Sequence, residues 1–277
     1  MAQNAKRMKH NFRRNIIVIC MTLVAATVNL RAQEQQPAPG HPSQLDEETL
    51  KKANNPMAKT KAFNVHNYIA SSIYGTEMQQ NQFILRYAQP FGKFLVRASL
   101  PFVTVSQPST PPTFGLGDVN VFAIYSLPSS EGNQFGIGPA ISAPTATSDM
   151  TGTGKWQAGL SALAFFAKSH LIQVGALLQW QASFAGDEDR ADISVLTSQV
   201  FFFWQIGAGY YLRSTGVWSF NLEDEGNYNV PIGLGVGKVI KVGKVVFNIF
   251  AEPQFTVMAE GSSQPKFQTF VGFNTQF

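Results

Sequence analysis

Residues 172–184 read I-Q-V-G-A-L-L-Q-W-Q-A-S-F, and no other stretch limits the fold as tightly. Gln173, Gly175, Leu177, Gln179, Gln181 and Ser183 hold the odd positions. Ile172, Val174, Ala176, Leu178, Trp180, Ala182 and Phe184 hold the even ones. Side chains of a strand alternate between faces, so this is a strand with one polar or small face and one apolar face, broken only by Leu177. Its 13 residues are more than twice the usual length in a soluble sheet. A tilted strand needs about 9–11 residues to cross a bilayer. With lipid on the apolar face and water on the glutamine face, the expected fold is all-β: a transmembrane, antiparallel, up-and-down β-barrel.

The rest of the chain can be divided on the same rule. Strand-like segments are expected at 63–73, 82–91, 93–105, 115–127, 133–144, 155–167, 169–185, 191–204, 207–222, 228–241, 244–258 and 266–277, about twelve in all. Short connections are expected near Gly92, Ser129–Gly132, Lys168, Gln205 and Lys241–Gly243. Longer ones at 74–81, 106–114, 145–154, 186–190, 223–227 and 259–265 hold Gly, Pro, Asp, Glu and Ser. Short periplasmic turns, longer extracellular loops and an even strand number are the habit of outer-membrane barrels. The segment 63–73 does not alternate cleanly, and 191–204 is ambiguous at its aromatic end. Pro253 removes a ladder donor and suggests a local bulge. In the last segment Phe267, Thr269, Val271, Phe273, Thr275 and Phe277 share one face. A closing strand with a terminal aromatic looks like the signature read by the barrel-assembly machinery, which makes that machinery and outer-membrane lipid the expected partners.

Residues 1–32 read as a signal peptide, with Lys6, Arg7, Lys9, Arg13 and Arg14 ahead of an apolar core over 16–28. That core is shorter than a spanning helix requires. Six of the 21 Lys and Arg fall in this segment, which has no acid, so beyond it 15 basic residues face 17 acidic ones. The basic balance belongs to the signal, and nucleic acid loses its support as a partner. The one cysteine, Cys20, lies in the same segment, which leaves neither a disulfide framework nor a thiolate metal site beyond it. Residues 33–62 form a polar tract, either a disordered linker or a plug of the lumen. Ser43 and Asp46 resemble a capping box ahead of two helical turns over 45–52. The barrel itself is expected over 63–277.

Several motifs in the middle of the chain carry a family likeness. They are Gly115-Leu116-Gly117-Asp118, Gly136-Ile137-Gly138-Pro139, Pro144-Thr145-Ala146-Thr147, Gly154-Lys155-Trp156-Gln157-Ala158-Gly159, Ser183-Phe184-Ala185-Gly186-Asp187, and 230–238 (V-P-I-G-L-G-V-G-K). In this order they resemble the outer-membrane transporter family of the MetA pathway of phenol degradation, over most of residues 80–277. The resemblance implies a barrel that passes small, often hydrophobic or aromatic, molecules. It does not extend to residues 33–62.

In a barrel of this register Arg86, Arg97, Asp118, Arg213 and Glu252 face the lumen and are the candidate permeation residues. They form either a charged constriction that selects permeants or a structural set in which Asp118 neutralises Arg86 and Arg97. Gly233, Gly235 and Gly237 line the inward face of one strand, making room for a plug or ligand or easing sharp curvature. Trp156, Trp180, Trp204, Trp218, Tyr125 and Tyr210 fit interfacial girdles. No catalytic residues, metal ligands or cofactor motif are assigned, and of the three histidines beyond residue 32 only His66 is on a strand. The expected function is passive passage of a small-molecule permeant across the bacterial outer membrane. A general polar-solute porin is the alternative, and a structural barrel or a barrel-embedded lipid hydrolase is further off.

Overall fold

The computed structural model of the chain describes residues 45–277 except 131, 170, 224, 225 and 262. The expected signal peptide, Ser43, His41 and His170 lie outside the described residues. The strands are β1 (Ala62–Ile73), β2 (Gln79–Phe91), β3 (Phe94–Ser106), β4 (Thr113–Leu116), β5 (Val119–Ser126), β6 (Asn133–Ala143), β7 (Lys155–Phe166) and β8 (Ile172–Gly186). They continue as β9 (Ser194–Gly207), β10 (Tyr210–Ser214), β11 (Val217–Asn221), β12 (Tyr228–Gly233), β13 (Gly235–Val242), β14 (Val245–Glu260) and β15 (Pro265–Gln276). The pairs β4/β5, β10/β11 and β12/β13 each form one interrupted stave, which gives a barrel of twelve antiparallel staves. β15 pairs with β14 on one side and with β1 on the other, so the sheet closes.

Period two governs the wall throughout. On β8 Gln173 and Gln181 are buried inside, while Leu178, Trp180 and Phe184 are exposed outside. β1 also alternates: Asn64, His66, Tyr68 and Ala70 face in, and the irregular sequence pattern comes from Asn67, which shares the outer face with its partners Phe83 and Val271. At the aromatic end of β9, Phe201 and Phe203 point inward and Phe202 and Trp204 outward. Trp156, Trp180, Trp204 and Tyr210 are exposed on the outside, whereas Tyr125 and Trp218 are half-buried.

Two local expectations need correction. Gln205 lies in β9 rather than in a turn, because a two-residue hairpin at Ala208 (φ 50°) and Gly209 (φ 78°) reverses the chain further on. Left-handed φ at both central residues matches the twist of the flanking strands. Pro253 produces no bulge of its own. Leu234 N donates to Pro253 O at 3.2 Å, but Pro253 has no N–H to return the bond, and the facing stave is interrupted there between β12 and β13. The bulge in this pairing sits between Val230 and Pro231.

The interior is not uniformly polar. At the short-turn rim Leu163, Phe165, Leu177, Phe201, Phe203, Tyr211 and Val239 form an inward apolar cluster, and Ala53 and Met57 complete it with Leu45 and Leu50 packed alongside. Leu177, the exception on the polar face of β8, belongs to this cluster. Residues 45–58 therefore sit inside the barrel, and their helix α1 (Glu47–Ala53) is only 7 residues long. So short a helix is marginal alone and depends on its surroundings. Its N-cap is Asp46, which accepts from Thr49 N at 2.7 Å. Its last carbonyls, which have no partners within the helix, accept from the wall: Gln173 Nε2 donates to Lys51 O at 3.0 Å, and Gln276 Nε2 donates to Lys52 O at 3.1 Å. Asn248 Nδ2 donates to Asn54 Oδ1 at 2.8 Å, and Lys241 Nζ lies 2.8 Å from Asp46 Oδ2.

Leu160 is 54 % exposed on the outer face of β7. Leu160→Arg is expected to cost about 2–4 kcal/mol at the bilayer midplane, less toward the headgroups, read by urea titration in lipid vesicles; a neutral effect would mean that this face does not meet lipid. Lys241 beside Asp46, helped by the Thr49 hydroxyl and amide, holds the Asp46 carboxyl well below the ordinary carboxylate range. A depressed carboxyl stabilises above its unfolded pKa, about 3.9, and loses that contribution as pH falls through the folded value. The advantage of the wild-type chain over Asp46→Asn in protecting the Leu50 amide from exchange should hold from neutral pH down to about 4 and vanish only in stronger acid.

Candidate functional site

Two rows of inward side chains cross the wall from β1 to β10, and in each a glycine stands between bulky neighbours. In the first, His66 pairs with Gly272, Gly272 with Phe250, Phe250 with Gly237 and Gly237 with Tyr211. A Cβ on Gly272 would lie 2.2 Å from Phe250 Cζ, and one on Gly237 would lie 2.2 Å from Tyr211 Cζ. The absent side chains are what let the rings lie across the sheet. In the second row Arg213 pairs with Gly235, Glu252 with Phe270, and Phe270 with Tyr68. Gly235 lies between Arg213 and Glu252, and a Cβ there would lie 2.6 Å from Glu252 Cβ. The inward glycines thus make room for Tyr211 and for a buried ion pair.

That pair is closely built. Arg213 Nε donates to Glu252 Oε2 at 2.8 Å, with the two side chains 6 % and 0 % exposed. Glu252 also accepts from Thr215 N and Thr215 Oγ1, both at 2.7 Å, and from Gln254 Nε2 at 2.8 Å. Arg213 Nη2 donates to Thr215 Oγ1 at 2.7 Å, and the guanidinium lies 3.4 Å from the centre of the Phe250 ring. Every strong site on the carboxylate is taken, the condition under which a buried charge pair is tolerated.

The wall formed by β1, β2 and β3 supplies the other charges. Arg86 Nη1 lies 2.8 Å from His66 Nδ1, and His66 Nε2 lies 2.7 Å from Asn274 Oδ1. A guanidinium only donates, so Nδ1 is the acceptor and the proton of a neutral His66 sits on Nε2, facing Asn274. Both ring nitrogens are thereby committed, and neither is positioned as a base toward a serine. Arg97 lies over the Phe122 ring at 4.3 Å from its centre. Among the described residues no carboxylate is within ion-pair distance of Arg86 or Arg97. Arg86, Arg97 and Arg213 border a cavity of about 120 Å³, with Phe203, Phe250 and Phe270 on its walls and residues 53–56 and Ala58 as its floor.

The structure brings together four of the five candidates and removes Asp118. Its carboxylate accepts from Thr153 N and Thr153 Oγ1, both at 2.7 Å, and from Ala146 N at 3.2 Å. It organises the long-loop rim and does not neutralise the arginines; its parity is inward, but it stands at the β4/β5 interruption where the loop 144–154 folds over it. Four of the family-like motifs, 115–118, 144–147, 154–159 and 183–187, meet at that rim as well. Thr145 Oγ1 donates to Gly117 O at 2.9 Å, Thr147 Oγ1 accepts from Leu116 N at 3.0 Å, and Asp187 N donates to Gly154 O at 3.0 Å. What the sequence reading missed was the inward aromatic set. Its signal was parity, since Phe250 lies two residues from both Asn248 and Glu252, and Phe270 two from Gln268.

No family model and no curated protein matches the chain. Among solved structures it is similar to an outer membrane channel from Pseudomonas putida F1, with 14 % identity and a TM-score of 0.60 over 80 % of this chain and 99 % of that one. It is similar also to the NanC porin, with 9 % identity and a TM-score of 0.50 over 78 % of this chain and 98 % of that one. At such identities the likeness is one of fold, and the fold is that of the bacterial outer-membrane β-barrels, which live in lipid.

Glu252→Ala would leave Arg213 buried without its carboxylate. The expected loss is about 3–5 kcal/mol, measured as a shift in the denaturant midpoint of the refolded barrel. A change of under about 1 kcal/mol, the size of a surface pair, would show that the pair is not buried in solution.

Proposed function

We propose that this chain is a passive outer-membrane channel for small molecules, hydrophobic or aromatic ones among them, held nearly shut by residues 45–58. The observation that carries the reading is the contrast between the two surfaces of the wall. The outer surface is apolar, with Leu160, Ile249 and Phe255 exposed, while the inner surface carries Arg86, Arg97 and Arg213 around a cavity, with Glu252 paired to Arg213. Arginines left without a carboxylate on an inner wall suit a selective pore, which uses such charges to choose its permeant. The long-loop half of the lumen continues this polar lining. Asn120 Nδ2 donates to Gln181 Oε1 and to Ser142 Oγ, both at 3.0 Å.

The kinship with transporters of the phenol-degradation family belongs to this proposal, and the loop motifs that converge on Asp118 support it. Export by the signal segment 1–32 and insertion by the assembly machinery through β15 and Phe277 are part of the same proposal. Phe277 N donates to Lys61 O at 3.0 Å, so the final residue lies against the start of β1.

Planar-bilayer recording and liposome swelling test the reading. The wild-type barrel should pass a small, gradient-driven flux with no energy source. Met57→Asp, which puts a charge into the apolar cluster that seats the inner segment, should raise conductance several-fold. A refolded barrel that passes no solute in either form would overturn the proposal. Ohmic, unsaturable salt and sugar flux in the wild-type chain would favour the general porin.

A further inference from the structure

We propose that the cavity between the arginine wall and the inner segment is a binding site for a compact organic monoanion, namely a carboxylate attached to a single ring-sized apolar body. The proposal rests on the channel reading and names the class of solute that the channel holds.

The wall and the inner segment hold donors that the protein does not satisfy. Arg86 Nε, Arg97 Nε and Asn54 Nδ2 are each buried without an acceptor, and all three residues border the cavity. Unpaired buried donors are costly, the more so on charged groups. Arg86 and Arg97 come from adjacent strands of the wall and Asn54 from the inner segment, and the three side chains border one cavity. The charge points the same way. Arg213 is matched by Glu252, while Arg86 and Arg97 have no carboxylate among the described residues. His66 cannot serve as the acceptor for a further donor, because its one lone pair already faces Arg86. An anion with two oxygens fits the forked donors of guanidinium groups.

The remaining walls specify the body that carries the charge. Phe203, Phe250 and Phe270 present ring carbon, and Ala58 and Leu95 add aliphatic surface. At about 120 Å³ the cavity is somewhat smaller than the closed one of about 150 Å³ that holds benzene, which sets the solute at a single ring at most. The cavity is not closed, so a carboxylate seated among the arginines leaves its ring partly in the opening. A tetrahedral dianion such as phosphate would leave the aromatic walls unmatched, and a cation would meet three guanidinium groups.

Benzoate and benzamide have nearly the same shape and differ in charge, so they test the site on the unmodified protein. In isothermal titration with the refolded full-length barrel, benzoate should bind at least about tenfold more tightly than benzamide. Arg97→Gln and Arg86→Gln should each weaken benzoate by at least about tenfold and leave benzamide unchanged, while Arg97→Lys should recover part of the loss. Equal binding of the two compounds, no benzoate binding, or tighter binding of inorganic phosphate would overturn the site. Swelling and conductance recorded on the same preparation separate the two claims. Flux without benzoate binding removes the site and leaves the channel, whereas benzoate binding in a barrel that passes nothing removes the channel and leaves the site.

Discussion

The hydrogen bonds between β1 and β15 are the constraint from which the rest follows. In hydrocarbon no water can pair with a free N–H or C=O, so a sheet can remain there only without an edge. The register from Phe63 with Thr275 to Ile69 with Thr269 runs without a break, and it removes the last edge. Closure fixes the number of staves, and twelve staves make a bore only a few side chains wide. Every inward residue must then share that bore with those of its neighbours. Phe250, Tyr211 and Glu252 fit because Gly272, Gly237 and Gly235 give up their own share of the space.

The interior divides the labour between its two ends. Toward the short turns it is packed like a soluble core, with Phe165, Leu177 and Tyr211 around Met57. Toward the long loops it is an amide and hydroxyl network of Asn120, Ser142 and Gln181. The cavity lies where these regimes meet, which is why charged, aromatic and amide side chains line it together. In a medium of low effective dielectric such a junction gives a charged group large leverage over what can lie beside it.

Much of the wall was legible in the sequence because alternation is a local property of the pleat. The parity of Gln173 through Ser183 gave the orientation of β8 directly, and the same rule gave twelve staves and the inward placement of Arg86, Arg97, Arg213 and Glu252. Pairing between distant residues was not legible. Asp118 has the right parity to meet Arg97, yet its partners are Ala146 and Thr153, because the position of a loop is not encoded in the strand beneath it. Pro253 was read correctly as a missing donor, but the facing stave absorbs the loss at Leu234, so no bulge forms. Leu177 looked like an error in the alternation, and its reason lies more than a hundred residues away in Met57.

Only residues 59–61 separate the inner segment from the first residue of β1. Three extended residues reach about 10 Å, so a segment expelled from the bore remains near its rim. Its return is a first-order event with an effective concentration in the millimolar range, independent of how many barrels share the membrane. On the proposal that residues 45–58 hold the channel nearly shut, so short a leash sets how fast an expelled segment finds its seat again.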